Sequence, residues 1–546
     1  MSKYFKWAEL PPREDVYTHV GTTRWGNHDL YPIPAKEKKF NWISYFCYTI
    51  VCGVNITDYS LGSTYIALGL TATETIGCII AASTVAGIIS YVTARPGLDH
   101  GIGFTMWVRS VFGLWGSYIP LFFIAIAGCI FSGLQSYYGG LAFAVMLGAI
   151  IPQFAFMSNT LPESAATTTK NLIAFLCFFL LYVPLIWLLK PYQMRSYLYP
   201  GFVLVLAVMF GMLIWAIHGN GGSAGTLWSS NPIVLSASDR AFRIAQCLIT
   251  VIGTWGGASE RFSDWSRFAK SRQAPTLALV LGTPLGISFA ATIGALVTSA
   301  YYESHGKLVW NPLTILATLQ LEEYTPSVRA GTFFAGLALL LCQCVVNICN
   351  NTIGWSMDLT GALPKYVSMK RAALLQCAIV IVLQPWRFLS QAYIFVEVLS
   401  VNSIFLSASS AIVASDYYII RRRKLVIPDL YVGNDSGIYW YTRGINWRAV
   451  VALALAMWPS IPGLGYSIKS EYNTWTRIFQ INYVVAAPIG ALSYLAFCFF
   501  ISMPRGLGVQ VDLDEQRVEV IDSISAANSV EESSGEKTEE PAVTEV

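Results

Sequence analysis

An apolar run long enough to cross a bilayer, yet interrupted by its own glycines and charges, constrains this chain most. From Val251 to Phe268 it reads V-I-G-T-W-G-G-A-S-E-R-F-S-D-W-S-R-F. Gly253, Gly256 and Gly257 are expected to break the helix. Glu260, Arg261, Asp264 and Arg267 then put charge at or just below membrane depth. A bilayer core tolerates irregular backbone and ionisable groups only where they face protein or a water-filled cavity. Interrupted helices with polar groups are the sequence pointer to a transporter's central binding site.

Composition supports a membrane protein. Of 546 residues, 54% are hydrophobic and 12% charged, against roughly 25% charged in a soluble domain. Aromatic residues make up 14%, and rings are favoured at membrane interfaces and in pockets for planar ligands. A net charge of +3 is too small to indicate nucleic acid. The 11 cysteines show no zinc or disulfide spacing and are expected to pack as small apolar residues. The first 39 residues lack a short apolar core with a cleavage site, so no signal peptide is expected.

Apolar runs of roughly 18 residues or more mark spans. About twelve are expected, centred near residues 55, 83, 130, 180, 208, 252, 288, 340, 378, 406, 456 and 490, the ninth being the shortest. Basic residues follow the even-numbered spans: Arg95 and Arg109; Lys190 and Arg195; Arg267, Lys270 and Arg272; Lys365, Lys370 and Arg371; Arg421 to Lys424. Lys36, Lys38 and Lys39 precede the first. The positive-inside rule then places both termini in the cytosol. The chain divides into an N-terminal segment (1–40), a membrane domain (41–503) and a tail (504–546). Between Asp512 and Glu545 the tail has eleven acids against Arg517 and Lys537. That composition cannot bury a core, and its serines or Lys537 could engage trafficking or ubiquitylation machinery.

Several segments together resemble one family. Asn27 to Pro34 resembles the N-x-D-L-x-P-x-P entry segment of the nucleobase:cation symporter family one, and Gly101 to Gly113 resembles its second cytoplasmic loop. Ser263-Asp264-Trp265-Ser266-Arg267-Phe268 matches the signature after span six. Asn351 with Asp358-Leu359 and Pro364-Lys365-Tyr366 resembles the end of span eight. Asp416-Tyr417-Tyr418, Pro428 to Tyr431 and Gly444 to Ala449 resemble the region after span ten. The resemblance runs over about residues 24 to 500 and is greatest to the fungal Fur-type branch. Members of that branch carry uracil, allantoin or uridine and, in a sub-branch, thiamine or nicotinamide riboside. It implies an all-α membrane fold of about 12 transmembrane helices, a five-plus-five inverted repeat of the LeuT type with two extra helices. Spans one and six would both be broken at the midplane. Cys52-Gly53-Val54-Asn55-Ile56-Thr57-Asp58 offers the break in span one.

The resemblance also implies a site. Phe131 to Gln135 resembles the family's W-x-G-x-Q, in which the aromatic stacks on the substrate ring and the glutamine bonds its amide edge; Phe131 replaces the usual Trp. Trp255 has the spacing of the second stacking aromatic. Asn351 matches the substrate-binding asparagine. Asn347 shares its face by i, i+4 spacing, whereas Asn350 is expected to bond between helices. Asn55, in the break of span one, is a further substrate-binding candidate. Glu260 and Arg261 depart from the apolar or amide residues of related carriers; they are expected to pair with each other or a neighbouring helix, or to serve substrate or proton coupling. Bacterial members hold sodium with hydroxyls where this chain has Val345 and Val346, so sodium is not expected. Asp58 is the leading proton acceptor, because an acid in hydrocarbon favours its neutral form; Glu260 is second. Asp29, Asp264, Arg267 and Asp358 are gating candidates, with Asp29 expected to bind a loop arginine.

The expected function is proton-coupled import of a small planar nitrogen heterocycle by alternating access, with no bound cofactor. The alternative is import of a cationic vitamin such as thiamine or nicotinamide riboside, with Asp58 or Glu260 as counter-ion. A receptor without transport would need a signalling domain that the sequence does not display. Five dispersed histidines and the absence of a phosphate loop argue against an enzyme. Expected partners are the small-molecule substrate and membrane lipids, and the expected location is the plasma membrane.

Overall fold

The computed structural model describes residues 9–10, 22–33, 37–188, 191–469 and 471–504. Pro34, Lys36, Lys190 and the acidic tail beyond Pro504 lie outside the described residues. Among the described residues the regular structure is helical, and strand pairing is limited to two bridges, Phe40 with Ala269 and Thr442 with Ile445.

The chain opens with a divided span, α1 (Trp42–Gly53) and α2 (Ile56–Ala67). Asn55 causes the division. Its extended backbone stops α1, and its Oδ1 accepts from the N–H groups of Thr57 and Asp58 at 2.8 and 3.1 Å, capping α2. α3 (Ala72–Thr93) starts with a Thr71–Glu74 capping box. The short α4 (Arg95–His100) and α5 (Phe104–Phe112) lead to the long α6 (Tyr118–Ile150). α7 (Pro152–Ala155), α8 (Thr169–Leu188) and α9 (Met194–Gly219) follow.

α10 (Ala237–Glu260) is continuous through Gly253, Gly256 and Gly257 and ends at Arg261; one turn, α11 (Ser263–Ser266), follows. The expected break is therefore displaced. The glycines serve close packing instead: a Cβ at Gly253 would lie 2.6 Å from Ser403 Cβ, and one at Gly256 would lie 2.8 Å from Leu406. Glycine costs about 1 kcal/mol in a helix interior, and contact with the neighbouring helix offsets this.

The second half comprises α12 (Thr283–His305), α13 (Pro312–Glu322) and α14 (Pro326–Asn347). A π turn (Ile348–Thr352) joins α14 to α15 (Ile353–Ala362). Then come α16 (Met369–Val382), α17 (Ala392–Ser415), α18 (Trp447–Met457), α19 (Ile461–Ile468), α20 (Thr474–Gln480) and α21 (Asn482–Ala496). Nine helices among the described residues are long and apolar enough to cross a membrane. The other expected spans are the divided α1–α2, the 14-residue α16, and α10, which carries Asp239, Arg240, Arg243 and Glu260. All described cysteines are free, and every one but Cys177 is buried.

Packing places α10 against α3 and α17, α6 against α14 and α8, and α1 and α2 against α12. The last contact is the tightest. A Cβ at Gly62 would sit 2.0 Å from the carbonyl oxygen of Ala291, and one at Gly294 would sit 2.1 Å from that of Tyr59. Small residues let helix backbones approach this closely in membranes. Gly62→Ala is expected to lower the melting temperature and folded yield, because overpacking costs about 1–3 kcal/mol and the obstructing atom is backbone. An unchanged melting temperature of the detergent-purified variant would show that the two helices separate freely.

Candidate functional site

A central cavity lies where the α1–α2 break, the middle of α6, the end of α10, the π turn and α17 converge. Phe131, Gln135, Trp255, Asn351, Asn55 and Asp58 all line it, as do Arg261, Asn350 and Asn402. It encloses about 40 Å³, room for a few waters. Phe131 is 9% exposed and Trp255 6%, so both rings show the cavity only an edge or part of a face.

The cavity's amides are oriented by what stands behind them. Gln343 Nε2 donates to the main-chain oxygen of Gln135 at 3.4 Å and to its Oε1 at 2.5 Å. A carbonyl can only accept, so Gln135 Oε1 is committed and its Nε2 is left for the cavity. Asn347 Nδ2 donates to Ser132 O and Ser136 Oγ, and its Oδ1 accepts from Asn351 Nδ2 at 3.0 Å. Asn351 therefore presents its Oδ1. Asn402 Nδ2 is held by Gly253 O at 3.1 Å, which also leaves an acceptor. The result is one donor from α6 and acceptors from the π turn and α17.

Of the asparagines, one expected ligand lies elsewhere, and two lining residues are also engaged by neighbours. Asn347 is fully buried behind Asn351 and orients it instead of lining the cavity. Asn350 lines the cavity and also accepts from Tyr48 Oη at 3.3 Å, because the π turn changes the angular step that 3.6 residues per turn would give. Asn55 is spent within the break: its Nδ2 donates to Cys52 O and to Asp58 Oδ2, both at 2.6 Å.

Asp58, in the first turn of α2, accepts from Asn55 Nδ2 and, at 3.2 Å, from Trp255 Nε1. Both donors are neutral, and the helix N-terminus adds only partial positive charge. Glu260 is absent from the cavity lining. It is 0% exposed beside Ser409, Arg261 and Tyr483, and neither carboxylate oxygen has a hydrogen-bond partner among the described residues. Arg261 pairs instead with Asp358, Nη1 to Oδ2 at 2.7 Å, and Asp358 Oδ1 accepts from Thr105 at 3.1 Å.

The gating candidates gather on the face carrying the N-terminal segment. Asp264 Oδ1 accepts from Phe104 N at 2.8 Å, capping α5; a Cβ at Gly103 would strike that oxygen, so glycine is required there. Arg267 donates to the main-chain oxygen of Asp29 at 3.1 Å. The Asp29 carboxylate accepts from Met369 N at 3.3 Å and lies 3.1 Å from His28 Nε2. Burial alone would raise its pKa, but His28, Met369 N–H and Arg267 together hold it below the ordinary value. The expected loop-arginine contact thus reaches Asp29's backbone. Sequence reasoning missed Arg109, which is 1% exposed and donates to Trp25 O, Leu430 O and Gly361 O, tying the N-terminal segment to the end of α15 and to the turn at Pro428–Tyr431. Burial lowers its pKa to about 10. Asn402 was missed too; a lone amide within an apolar helix was its only signal.

A polar cavity enclosed by long apolar helices and built on a divided helix defines a multi-pass membrane transporter. The chain belongs to the family of permeases for cytosine/purines, uracil, thiamine and allantoin, whose profile matches residues 32–494. It is 29% identical to nicotinamide riboside transporter 1 of Saccharomyces cerevisiae and 28% to a thiamine transporter of the same yeast; each alignment covers 88% of this chain and 79% of the relative. The fold is similar to that of Mhp1, a nucleobase-cation-symport-1 family transporter in a closed conformation with bromovinylhydantoin bound. That match has a TM-score of 0.71 at 19% identity and covers 91% of this chain and 100% of Mhp1. The chain is a transporter of this fold and not an enzyme.

Proposed function

We propose that this protein imports a small planar nitrogen heterocycle of the uracil, allantoin or uridine class, coupled to protons, by alternating access. One observation carries the reading: the relays behind Gln135 and Asn351 leave a donor and an acceptor facing the same cavity. A lactam or ureide edge offers the complementary pair, and Phe131 and Trp255 supply apolar walls for its ring. The cavity's small volume suits a cycle in which cargo enters only when the helices part. Asp58 is the proposed proton site and Glu260 the second; sodium is not invoked. Both termini lie in the cytosol of a plasma-membrane carrier in this proposal, and the acidic tail serves its trafficking.

A second reading is import of a cationic vitamin. It is favoured by Asp58, an acid whose hydrogen-bond donors among the described residues are neutral, and by the relatives named for thiamine and nicotinamide riboside. Uptake of labelled uracil, allantoin, uridine, thiamine and nicotinamide riboside is the test, at pH 5 and pH 7.5, in a fungal strain lacking its own carriers. Uptake of a neutral ring, faster at pH 5 and indifferent to sodium, is expected. Uptake of thiamine or nicotinamide riboside alone would overturn the first reading in favour of the second.

A further inference from the structure

We propose that Arg261 is a specificity-determining residue that donates to an exocyclic oxygen of the cargo and disfavours permanently cationic rings. The inference rests on the neutral-heterocycle reading and names the group that such a cargo must carry. Arg261 follows the last turn of α10, is 5% exposed and lines the central cavity. Two of its three nitrogens are committed: Nε donates to Gly257 O at 3.1 Å and Nη1 to Asp358 at 2.7 Å. Gly354 lets the group lie against the α15 backbone, since a Cβ there would be 3.1 Å from Cζ and 3.2 Å from Nε and Nη1. Nη2 has no hydrogen bond among the described residues, and it is not among the shut-in atoms that lack one.

A fixed guanidinium with one open amino group asks for an oxygen acceptor. Asp358 balances the charge, so a neutral carbonyl suffices and an anion is not required. Asp358 is a positioning residue here; its second oxygen is held by Thr105. Asp58, with two hydrogen bonds from neutral groups, keeps an accepting oxygen for the cargo whether or not it holds a proton. The lining thus supplies a donating group at Arg261 and an accepting one at Asp58, which fits a ring bearing both C=O and N–H. A quaternary ring places positive charge against a guanidinium, where a low-dielectric wall strengthens repulsion.

The test is competition for uptake by the full chain. The inhibitors are uracil, allantoin, thiamine, and 2- and 4-pyrimidinone, each of which lacks one uracil carbonyl. Wild type is expected to prefer uracil over one of the two pyrimidinones by about tenfold or more. Arg261→Gln with Asp358→Asn, which keeps the pair neutral, is expected to lose that preference and to be inhibited more strongly by thiamine. Arg261→Lys, which keeps the charge and the ion pair without the planar fork, is expected to lose the carbonyl preference while thiamine stays a weak inhibitor, and decides the matter if the double variant fails to reach the membrane. Unchanged preference in a variant present at the membrane overturns the role of Arg261 alone. A wild type inhibited by neither uracil nor allantoin overturns the neutral-heterocycle reading and this inference with it.

Discussion

Asn351→Ala and Gln135→Ala are each expected to lower uptake about a hundredfold or more while leaving surface abundance within about twofold of wild type. Each substitution removes a group facing the cavity and also orphans the residue behind it. Without Asn351, Asn347 Oδ1 loses its donor; without Gln135 Oε1, Gln343 keeps only the longer 3.4 Å contact. A buried polar group left unpaired costs about 1–3 kcal/mol, and a site built to bond a cargo amide loses discrimination by orders of magnitude when that bond is lost. The relays allow a control. Asn347→Ala removes no cavity-lining atom but frees the Asn351 amide to rotate, so affinity should fall less steeply. Saturation kinetics on membranes with matched abundance would read this. Normal uptake by Asn351→Ala or Gln135→Ala would remove the cavity from consideration as the cargo site.

Asp58→Asn is expected to abolish accumulation against a gradient and flatten the response to external pH. Among the described residues Asp58 forms no salt bridge; its oxygens meet Asn55 Nδ2 and Trp255 Nε1. Burying a lone carboxylate is costly, so the site is easiest to close when a proton, or a cationic cargo, occupies it. Asparagine is permanently neutral and removes the reason to wait for either. Its own Nδ2 would also face one of the two donors, so uptake rate should fall. Exchange of labelled for unlabelled cargo at equal concentrations should survive better than net accumulation. A variant that still concentrates cargo and still runs faster at pH 5 than at pH 7.5 would exonerate Asp58 and direct attention to Glu260.

Helical class, the divided first span and most of the cavity residues were legible because each depends on local chemistry. Asn55 stops one helix and starts the next by capping, and Gln135, Trp255 and Asn351 stand out as polar or aromatic groups within apolar runs. What failed depended on neighbours. Three glycines predicted a break in α10, but the decisive fact was the close approach of Ser403 and Leu406 from α17, which no local pattern reveals. Asn347 is expected by regular helical phase to share a cavity face with Asn351, but it lies behind Asn351 next to the π turn at 348–352; Asn350 makes its expected bond to a neighbouring helix through Tyr48 and also lines the cavity. Arg261 makes the second of its two expected pairings, with a neighbouring helix; which residue it meets there, Asp358 of α15, 97 positions away, is set by tertiary structure alone.

The glycine contact between α2 and α12 has a mechanical consequence. With backbone against backbone at Gly62 and Gly294, neither helix can tilt or slide independently; they turn as one strut. The backbone is irregular just before each of the two helices, at Val54–Asn55 ahead of α2 and at the π turn over Ala278–Gly282 that leads into α12. Asp58 lies one residue past the first turn's opening pair, so whatever occupies its carboxylate acts at the pivot of a two-helix lever and not on a single free helix.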